Sequence, residues 1–417
     1  MPRPTTELET FAGDITAASG FLAAGGTCGL KVSGRRDIGA IISERPATAA
    51  GTFTRNKVTA APVLVCRGVL GRSKERAQAI VFNSGNANAA TGEQGMANAR
   101  SMQRLFAEGP GRAYGIDAEA VFVASTGVIG VQMDMEKLAR GIAALEPSTD
   151  GGATAVEAMM TTDTVPKTAA ARFAVHGKPV TVAGMAKGAA MIAPQMVPHA
   201  TMLAFVGTDA AVEAGYLQRT LTAAVEDSFN MIVIDGDMST NDTCLLLANG
   251  AAWPEGRDPL DGSQPECAQF EAAVSSVCGR LAQAMARDGE GASKFIEVRI
   301  EGAATAGDAR MIARAIAGSN LTKSAVLGAD PNWGRIACAA GYSGAELNPS
   351  LFDIGIGSIQ LVKGGLAVNY DEGAASSEMK GNEVLLSMHL HLGDGEATAW
   401  GCDLTPEYVR LNSEYTT

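Results

Sequence analysis

Threonine, glycine, lysine and asparagine recur in short polar loops that follow apolar segments of this 417-residue chain. The segments QAIVFNS (78–84) and AVFVAST (120–126) both run into such a loop. These residue types supply hydroxyls, backbone N–H donors at glycine and a single ammonium group. Acyl transfer needs this set as nucleophile, oxyanion donors and substrate anchor. Binding of a sugar or a nucleotide by the same loops is a second interpretation, and the loops alone leave both open.

Thr201 is the candidate nucleophile among these hydroxyls. It follows the small residue Ala200 and a loop stiffened by Pro194 and Pro198. If the Ala200–Thr201 peptide is strained, the threonine hydroxyl can attack the preceding carbonyl, and hydrolysis then frees an α-amine on Thr201. Such an amine, with a pKa of about 7.7–8.0, can act as general base for its own hydroxyl. A threonine after such a loop is more often a helix cap, and the residues alone leave that reading open.

Motifs of several common enzyme classes are absent from the sequence. It contains no H-E-x-x-H, no C-x-x-C and no phosphate-binding G-x-x-x-x-G-K-[ST], and GYSG (341–344) lacks the last glycine of G-x-S-x-G. His389 and His391 share one face of a predicted strand, which is typical of the solvated face of an edge strand. We therefore predict neither a metal ion nor a bound cofactor.

Composition and charge narrow the class of partner. The net charge of −12 argues against nucleic acid, which is bound through clustered lysine and arginine. Seven widely spaced cysteines favour reduced thiols in a cytosol over a disulfide framework. The N-terminal residues do not form a signal peptide, and no apolar stretch approaches the roughly 18–20 residues needed to span a bilayer. We expect a soluble cytoplasmic protein that binds no membrane.

Strands and helices must position the polar loops, and the apolar pattern predicts both kinds of element. Predicted strands include 61–67, 78–84, 121–124, 202–210 and 293–302, with a hairpin turn at 176–178. Predicted helices include 96–108, 134–145, 212–227, 265–286 and 308–322. Because no regular βαβα rhythm runs through the chain, we predict a mixed α/β (α+β) class, a layered sandwich of mixed sheets flanked by helices.

The segment MAKGAAMIAPQMVPHATML (185–203) resembles the K-G-x-G-M-I-x-P-x-M-A-T-M-L signature of the ArgJ family. These are ornithine acetyltransferases, also called bifunctional glutamate N-acetyltransferases. Five further blocks match the family in order: STGVIG (125–130), MTTDTVPK (160–167), DGEGASK (288–294), DPNWGRI (330–336) and NSEYTT (412–417). The resemblance thus covers nearly the whole chain, and it implies an ArgJ/DmpA-like self-cleaving fold.

The resemblance also implies an activity. Family members cleave themselves between alanine and threonine, here Ala200 and Thr201, giving an α chain (1–200) and a β chain (201–417). The acetyl group of N2-acetylornithine passes to Thr201, ornithine leaves, and glutamate takes the acetyl group, as a step of arginine biosynthesis. Bifunctional members also accept acetyl-CoA, which the resemblance allows as a co-substrate. Two α and two β chains would form a heterotetramer.

Individual residues take roles by the same resemblance. Thr126 and Gly127 match the oxyanion hole, where a hydroxyl and a backbone N–H can point at one oxygen. Glu290 could pair with the α-ammonium of ornithine or glutamate, and Lys187 with a carboxylate. The residues that match substrate-binding positions are Thr161, Lys187, Thr201, Glu290, Asn412 and Thr417. Asn412 and Thr417 require the C-terminal tail to fold back over the site.

The sequence departs from the family signature in two places. Ala190 replaces its second glycine, and Val197, Pro198 and His199 are inserted before the Ala-Thr pair. The insertion could slow self-cleavage, or Pro198 could restore rigidity while His199 assists proton transfer; we predict that cleavage still occurs. Two rival hypotheses stay open: an Ntn-like amidohydrolase or aminopeptidase that uses water, and an uncut pseudoenzyme that only binds amino acids.

Overall fold

The structure, a computed structural model, describes residues 8–72, 76–193 and 202–414. Ala200, Thr201, Thr417 and the insertion at 197–199 lie outside the described residues. The strands are β1 (Glu9–Phe11), β2 (Phe21–Gly26), β3 (Ile38–Phe53), β4 (Arg76–Asn83), β5 (Val121–Ser125), β6 (Lys167–Val175), β7 (Lys178–Lys187), β8 (Leu203–Thr208), β9 (Ile232–Val233), β10 (Thr243–Ala248), β11 (Phe295–Ala303), β12 (Asp353–Ile356), β13 (Ile359–Lys363), β14 (Leu366–Ala367), β15 (Glu383–His389) and β16 (Gly395–Cys402). The helices are α1 (Ala61–Arg72), α2 (Gly92–Glu108), α3 (Met135–Ala143), α4 (Gly152–Met159), α5 (Ala214–Glu226), α6 (Cys267–Arg287), α7 (Ala306–Gly318), α8 (Asn320–Leu327), α9 (Trp333–Gly341), α10 (Glu372–Glu378) and α11 (Pro406–Glu414).

Two mixed sheets organise these elements. The first has the order β1-β6-β7-β8-β10-β3-β4-β5, with β2 paired to β3, and the second has the order β14-β13-β12-β15-β11-β16-β9. Each contains parallel and antiparallel pairs; β8 runs parallel to β10 and antiparallel to β7. The predicted class, mixed α/β with layered mixed sheets and flanking helices, is confirmed.

Helix α6 joins the two sheets through one apolar core. Its buried residues Phe270, Val274, Val277 and Leu281 recur at helical spacing and belong to the same cluster as residues of both sheets. Helix α6 contacts β6 and β7 of the first sheet and β16 of the second. Because all of these faces exclude water together, the end of α6 is held in a fixed position relative to the ends of the strands.

The first strand after the predicted cleavage site lies in the middle of the first sheet. Strand β8 pairs with β7 on one side and with β10 on the other, and β10 pairs with β3. The segments 1–200 and 201–417 therefore share one sheet. The predicted chain division does not coincide with a boundary between the sheets.

The predictions for the segment 61–67 and for His389 are wrong. The segment 61–67 is part of helix α1 and not a strand, since Val63, Cys66 and Val69 are buried at helical spacing. His389 lies in β15, which is flanked by β11 and β12 and is therefore not an edge strand. Within the described part of the chain, no helix is both long and apolar enough to cross a membrane.

Candidate active site

A cavity of about 330 Å³ lies where β5 and β7 end and β8 and β10 begin. Five of the predicted site residues line it: Thr126, Gly127, Thr161, Lys187 and Asn412. Met202, the residue that follows Thr201 in the chain, also lines it and is buried. Residues from widely separated parts of the sequence thus meet at one edge of the first sheet.

The Thr126–Gly127 loop has a backbone that only glycine suits. Gly127 has φ +126°, and a Cβ atom there would lie 2.4 Å from the carbonyl carbon of Gly85 and 2.6 Å from the nitrogen of Asn86. The N–H of Thr126 donates to the carbonyl of Asn83 (3.0 Å). The N–H of Gly127 has no acceptor among the described residues, so it is available to a ligand.

The Lys187 ammonium lies 3.1 Å from the Thr126 hydroxyl oxygen. An ammonium group can only donate, so the hydroxyl oxygen accepts and its own proton is left to donate. Lys187 is only 8% exposed, and burial lowers its pKa, opposed in part by the nearby Asp163. A hydroxyl proton and a free N–H beside a buried cation can stabilise an oxygen that develops negative charge.

Lys187 is supported by buried charged side chains. The sequence analysis did not identify them as site residues. The Lys167 ammonium lies 2.7 Å from a carboxylate oxygen of Asp163 and 2.5 Å from one of Asp288. Asp163 also accepts the N–H of Gly188, the residue after Lys187 (2.7 Å). Burial alone would raise the pKa of Asp163, but Lys167 and Lys187 hold this pKa down to about 2. The sequence contained one signal that could have identified these charged residues. Two of the blocks that match the family include Asp163, Lys167 and Asp288.

Glu290 joins the site through the C-terminal helix. The Asn412 amide of α11 donates to the Glu290 carboxylate (2.7 Å). Thr405, just before α11, donates to the carbonyl of Gly291 (2.6 Å), which anchors the helix beside Glu290. The tail folds back as far as Asn412, as the substrate-binding prediction requires; the predicted roles of Thr201 and Thr417 lie outside the described residues.

Asp235 and Asn241 are further polar residues of the cavity that the sequence did not single out. The Asp235 carboxylate accepts the N–H groups of Met191 (2.5 Å) and Ile192 (2.8 Å). The Asn241 amide donates to the carbonyl of Ser125 (2.9 Å), directly before Thr126. Both residues lie in the polar segment between β9 and β10 and fix the backbone on two sides of the cavity.

Comparison with known proteins shows to which family this chain belongs. The family profile described as "ArgJ family" matches residues 22–417. The arginine biosynthesis bifunctional protein ArgJ of Symbiobacterium thermophilum is 50% identical over 414 residues, covering 98% of this chain and 100% of the relative. The protein of the same name from Gloeobacter violaceus is 45% identical over 417 residues, covering 99% and 100%. The chain belongs to the ArgJ family.

Similar proteins also occur among the solved structures. The ornithine acetyltransferase of Mycobacterium tuberculosis, complexed with ornithine, is 41% identical, with a TM-score of 0.43, over 46% of this chain and 100% of that chain. ArgJ membership confirms the prediction that the protein is an enzyme, a glutamate N-acetyltransferase of arginine biosynthesis. The individual roles of the residues in this ArgJ site stay predictions.

Proposed function

We propose that this ArgJ-family enzyme moves an acetyl group from N2-acetylornithine to glutamate through an acetyl ester on Thr201. The observation that carries the proposal is the pair of donors at Thr126 and Gly127. They line the same cavity as Met202, the neighbour of Thr201 in the chain. Acyl transfer through a hydroxyl nucleophile needs such a pair, because negative charge develops on the carbonyl oxygen in the transition state.

Self-cleavage would prepare the nucleophile. Hydrolysis of the Ala200–Thr201 peptide would leave the α chain (1–200) and the β chain (201–417) together, since β7 and β8 are neighbours in one sheet. The freed α-amine of Thr201 would accept the proton of its own hydroxyl. The enzyme would act in the cytoplasm as a heterotetramer of two α and two β chains.

In the first half-reaction, the Thr201 hydroxyl oxygen bonds to the acetyl carbon of N2-acetylornithine. Thr126 and Gly127 donate to the oxygen that becomes negative. The carbon–nitrogen bond then breaks, the proton held by the α-amine passes to the leaving nitrogen, and ornithine departs. In the second half-reaction the glutamate amine attacks the ester, and the Thr201 hydroxyl is restored.

Charged side chains of opposite sign would hold the amino-acid substrates. Lys187 has three donor hydrogens, so it can bond to Thr126 and to a substrate carboxylate at the same time. Glu290, oriented by Asn412, would accept from the substrate ammonium. Thr161 lines the cavity and would add a hydroxyl, and Thr417 would contribute from the C-terminus. No metal ion or bound cofactor enters this mechanism, and acetyl-CoA is a second candidate donor.

Mass measurement of the purified protein tests the cleavage step. We expect two fragments, one beginning at Thr201, and after incubation with N2-acetylornithine an added acetyl group on that fragment. Thr201→Ala should stay uncut and unacetylated while keeping the far-ultraviolet circular dichroism of the parent. Two fragments from Thr201→Ala would mean that the cleaved bond lies elsewhere.

Steady-state kinetics separate the proposal from its rivals. Transfer from N2-acetylornithine to glutamate should give parallel lines in double-reciprocal plots, as a covalent acetyl-enzyme requires. Steady release of acetate from N2-acetylornithine without glutamate, at the rate of transfer, would favour an amidohydrolase. An intact chain that binds ornithine and turns nothing over would favour a pseudoenzyme.

A further inference from the structure

The last segment that the structure describes before the predicted cut is 189–193, called here the end segment. It follows β7, and two of its residues, Ala190 and Met191, line the active-site cavity. In the proposed mechanism, hydrolysis of the Ala200–Thr201 peptide makes this segment part of a free chain end. Chain ends fray unless other contacts hold them. The wall of the ArgJ cavity therefore needs contacts that do not depend on the peptide link.

Residues of the segment 201–417 bind the end segment through its backbone. The carbonyl of Ala189 accepts the N–H of Glu290 (2.8 Å). The carbonyl of Ile192 accepts the N–H of Ile234 (2.7 Å). Both Ala189 and Ile192 are also buried, at 1% exposure each. The end of the proposed α chain is thus held by residues of the proposed β chain.

Asp235 adds charge-assisted contacts to this backbone pairing. Its carboxylate accepts the N–H groups of Met191 (2.5 Å) and Ile192 (2.8 Å). Hydrogen bonds to an ionised group are roughly twice as strong as those between neutral groups. Burial raises the pKa of this carboxyl, and backbone N–H groups, two of them from the end segment, oppose the rise. The end segment and the Asp235 charge therefore stabilise each other.

Met191 has a backbone conformation that needs such support. Its φ of +55° lies in the left-handed region, which residues other than glycine adopt uncommonly. Its side chain is 42% exposed, so packing does little to hold the residue in place. The Asp235 carboxylate bonds to the N–H of Met191 and of the next residue, which favours this conformation. Loss of the carboxylate should let Met191 relax, and the cavity wall would move.

Movement of the end segment would also reach a predicted substrate contact. The backbone of Glu290 donates to Ala189, and its carboxylate accepts from the Asn412 amide (2.7 Å). The end segment, Glu290 and helix α11 are thus joined by hydrogen bonds. A chain end that moved away would remove part of the cavity wall and the backbone partner of Glu290 together.

We propose that Asp235 is a positioning residue that keeps the end segment in the cavity wall after self-cleavage. Before the cut, the peptide link to β8 would restrain the same segment from its other side, so Asp235 would matter less. The inference rests on the proposed self-cleavage, and it assigns Asp235 no contact with the reacting atoms. It requires that the effect of Asp235 depends on whether the chain has been cut.

Hydrogen exchange, followed by mass spectrometry of peptides that cover 189–193, measures this dependence. In the cut parent, the end segment should exchange as slowly as in uncut Thr201→Ala, a comparison that needs no change at Asp235. Asp235→Asn should still be cut, and its end segment should exchange about tenfold faster than that of the cut parent, because hydrogen bonds to a charged group are lost. In the Thr201→Ala background, Asp235→Asn should raise the exchange rate less than about threefold, since the two restraints are coupled.

Several results would contradict the inference. A parent that stays intact would overturn the proposed function, and the inference with it. A cut parent whose end segment exchanges more than about tenfold faster than that of Thr201→Ala would overturn the inference alone, because the contacts would not hold the chain end. No acceleration by Asp235→Asn, or equal acceleration in cut and uncut protein, would also overturn it. An Asp235→Asn chain that stays uncut would assign the residue a role in the precursor instead.

Steady-state kinetics of the cut enzyme give a second measurement. Asp235→Asn should raise KM for N2-acetylornithine and for glutamate about tenfold each, because both substrates use the same wall and Glu290. Asp371→Asn is the matched control, since Asp371 is exposed and accepts one backbone N–H, that of Ala374 (3.0 Å), outside the cavity. It should leave both KM values and the exchange of the end segment as in the parent. Unchanged KM values in Asp235→Asn would overturn the inference.

Discussion

Lys187 and Thr126 form the central side-chain pair of the candidate site. The Lys187 ammonium donates to the Thr126 hydroxyl oxygen, so the hydroxyl proton is left to bond to a ligand. This proton and the N–H of Gly127 are two hydrogen-bond donors close to a buried positive charge. In the proposed mechanism the Thr126 hydroxyl stabilises the transition state and contributes little to ground-state binding, since charge develops on the carbonyl oxygen only as the bond to Thr201 forms. Loss of the hydroxyl should therefore affect turnover more than substrate affinity.

Thr126→Ala should lower kcat by about 10²- to 10³-fold and leave KM for N2-acetylornithine within about threefold, as for loss of one oxyanion donor. The measurement is steady-state transfer by protein whose cleavage has been verified by mass. Thr126→Ser keeps the hydroxyl and is the control, expected to retain most of the activity. A normal kcat in Thr126→Ala would remove this residue from the oxyanion site.

The pH dependence of the activity follows from two groups that must be in opposite protonation states. The Thr201 α-amine must be neutral to accept a proton, so kcat/KM should rise with pH through about 7.7–8.0. Lys187 must be charged, and burial lowers its pKa, so activity should fall again before the pH at which an ordinary lysine titrates. Lys187→Arg should shift the alkaline limb upward, because arginine stays protonated. An alkaline limb that does not move in Lys187→Arg would assign that limb to another group.

A residue of the cavity was predictable from the sequence where it lies in a block that matches the ArgJ family. Thr126, Gly127, Thr161, Lys187 and Asn412 meet at one cavity although they are far apart in the sequence. The supporting ions were not predictable as ions, because a buried Lys167 cannot be distinguished from an exposed one by sequence type. Asp235 was missed for the same reason: its partners are backbone N–H groups, which leave no pattern in the sequence.

At the scale of elements, buried charges connect three segments around the site. Lys167 begins β6, Asp163 contacts the backbone after β7, and Asp288 directly follows α6, two residues before Glu290. The residue proposed to hold a carboxylate and the residue proposed to hold an ammonium are thus linked through the same ion cluster. A change in the cluster should affect both the stability of the fold and the spacing of the two substrate contacts.

Lys167→Met should destabilise the protein by about 3–5 kcal/mol, because two buried carboxylates lose their common counter-charge. Urea unfolding followed by circular dichroism measures the difference. Lys137→Met breaks the exposed pair with Asp134 and is the matched control, expected to cost under about 1 kcal/mol. A loss as small as that of the control would mean that water compensates Asp163 and Asp288.

Helices and strands with a strong periodicity of apolar residues were predictable from the sequence. Their boundaries were less predictable. The predicted helices at 212–227 and 265–286 correspond to α5 and α6. The helix predicted at 308–322 is two helices, because Ser319 ends α7 and its side chain accepts the N–H of Thr322 to begin α8. Helix α1 was predicted as a strand because its valines favour strands, but burial of one helical face outweighs that preference.

At the scale of the whole molecule, both proposed chains contribute strands to one sheet. The backbone hydrogen bonds of β8 with β7 join them, and β10 of the second segment pairs with β3 of the first. The pattern of apolar residues did not predict this order of strands, because pairing between β3 and β10 depends on contacts some 190 residues apart in sequence. Separation of the two chains requires the sheet itself to open.

The two fragments should accordingly stay together until the fold is lost. On size exclusion in increasing urea, they should elute together up to the midpoint of global unfolding and separate only beyond it. Mixing isotopically labelled and unlabelled protein, followed by native mass spectrometry, should show no exchange of fragments in native buffer. Exchange within minutes would contradict a shared sheet.

The shared sheet also bears on why the enzyme would be made as one chain. A cut that follows folding guarantees equal numbers of the two pieces, because each precursor yields one of each. Until the proposed cut, the peptide link between β7 and β8 would keep the two strands at an effective concentration of the order of mM. Two separately translated halves would have to find each other at cellular concentrations with their apolar sheet edges exposed. In the proposed scheme, the uncut precursor would thus bring its own two halves together.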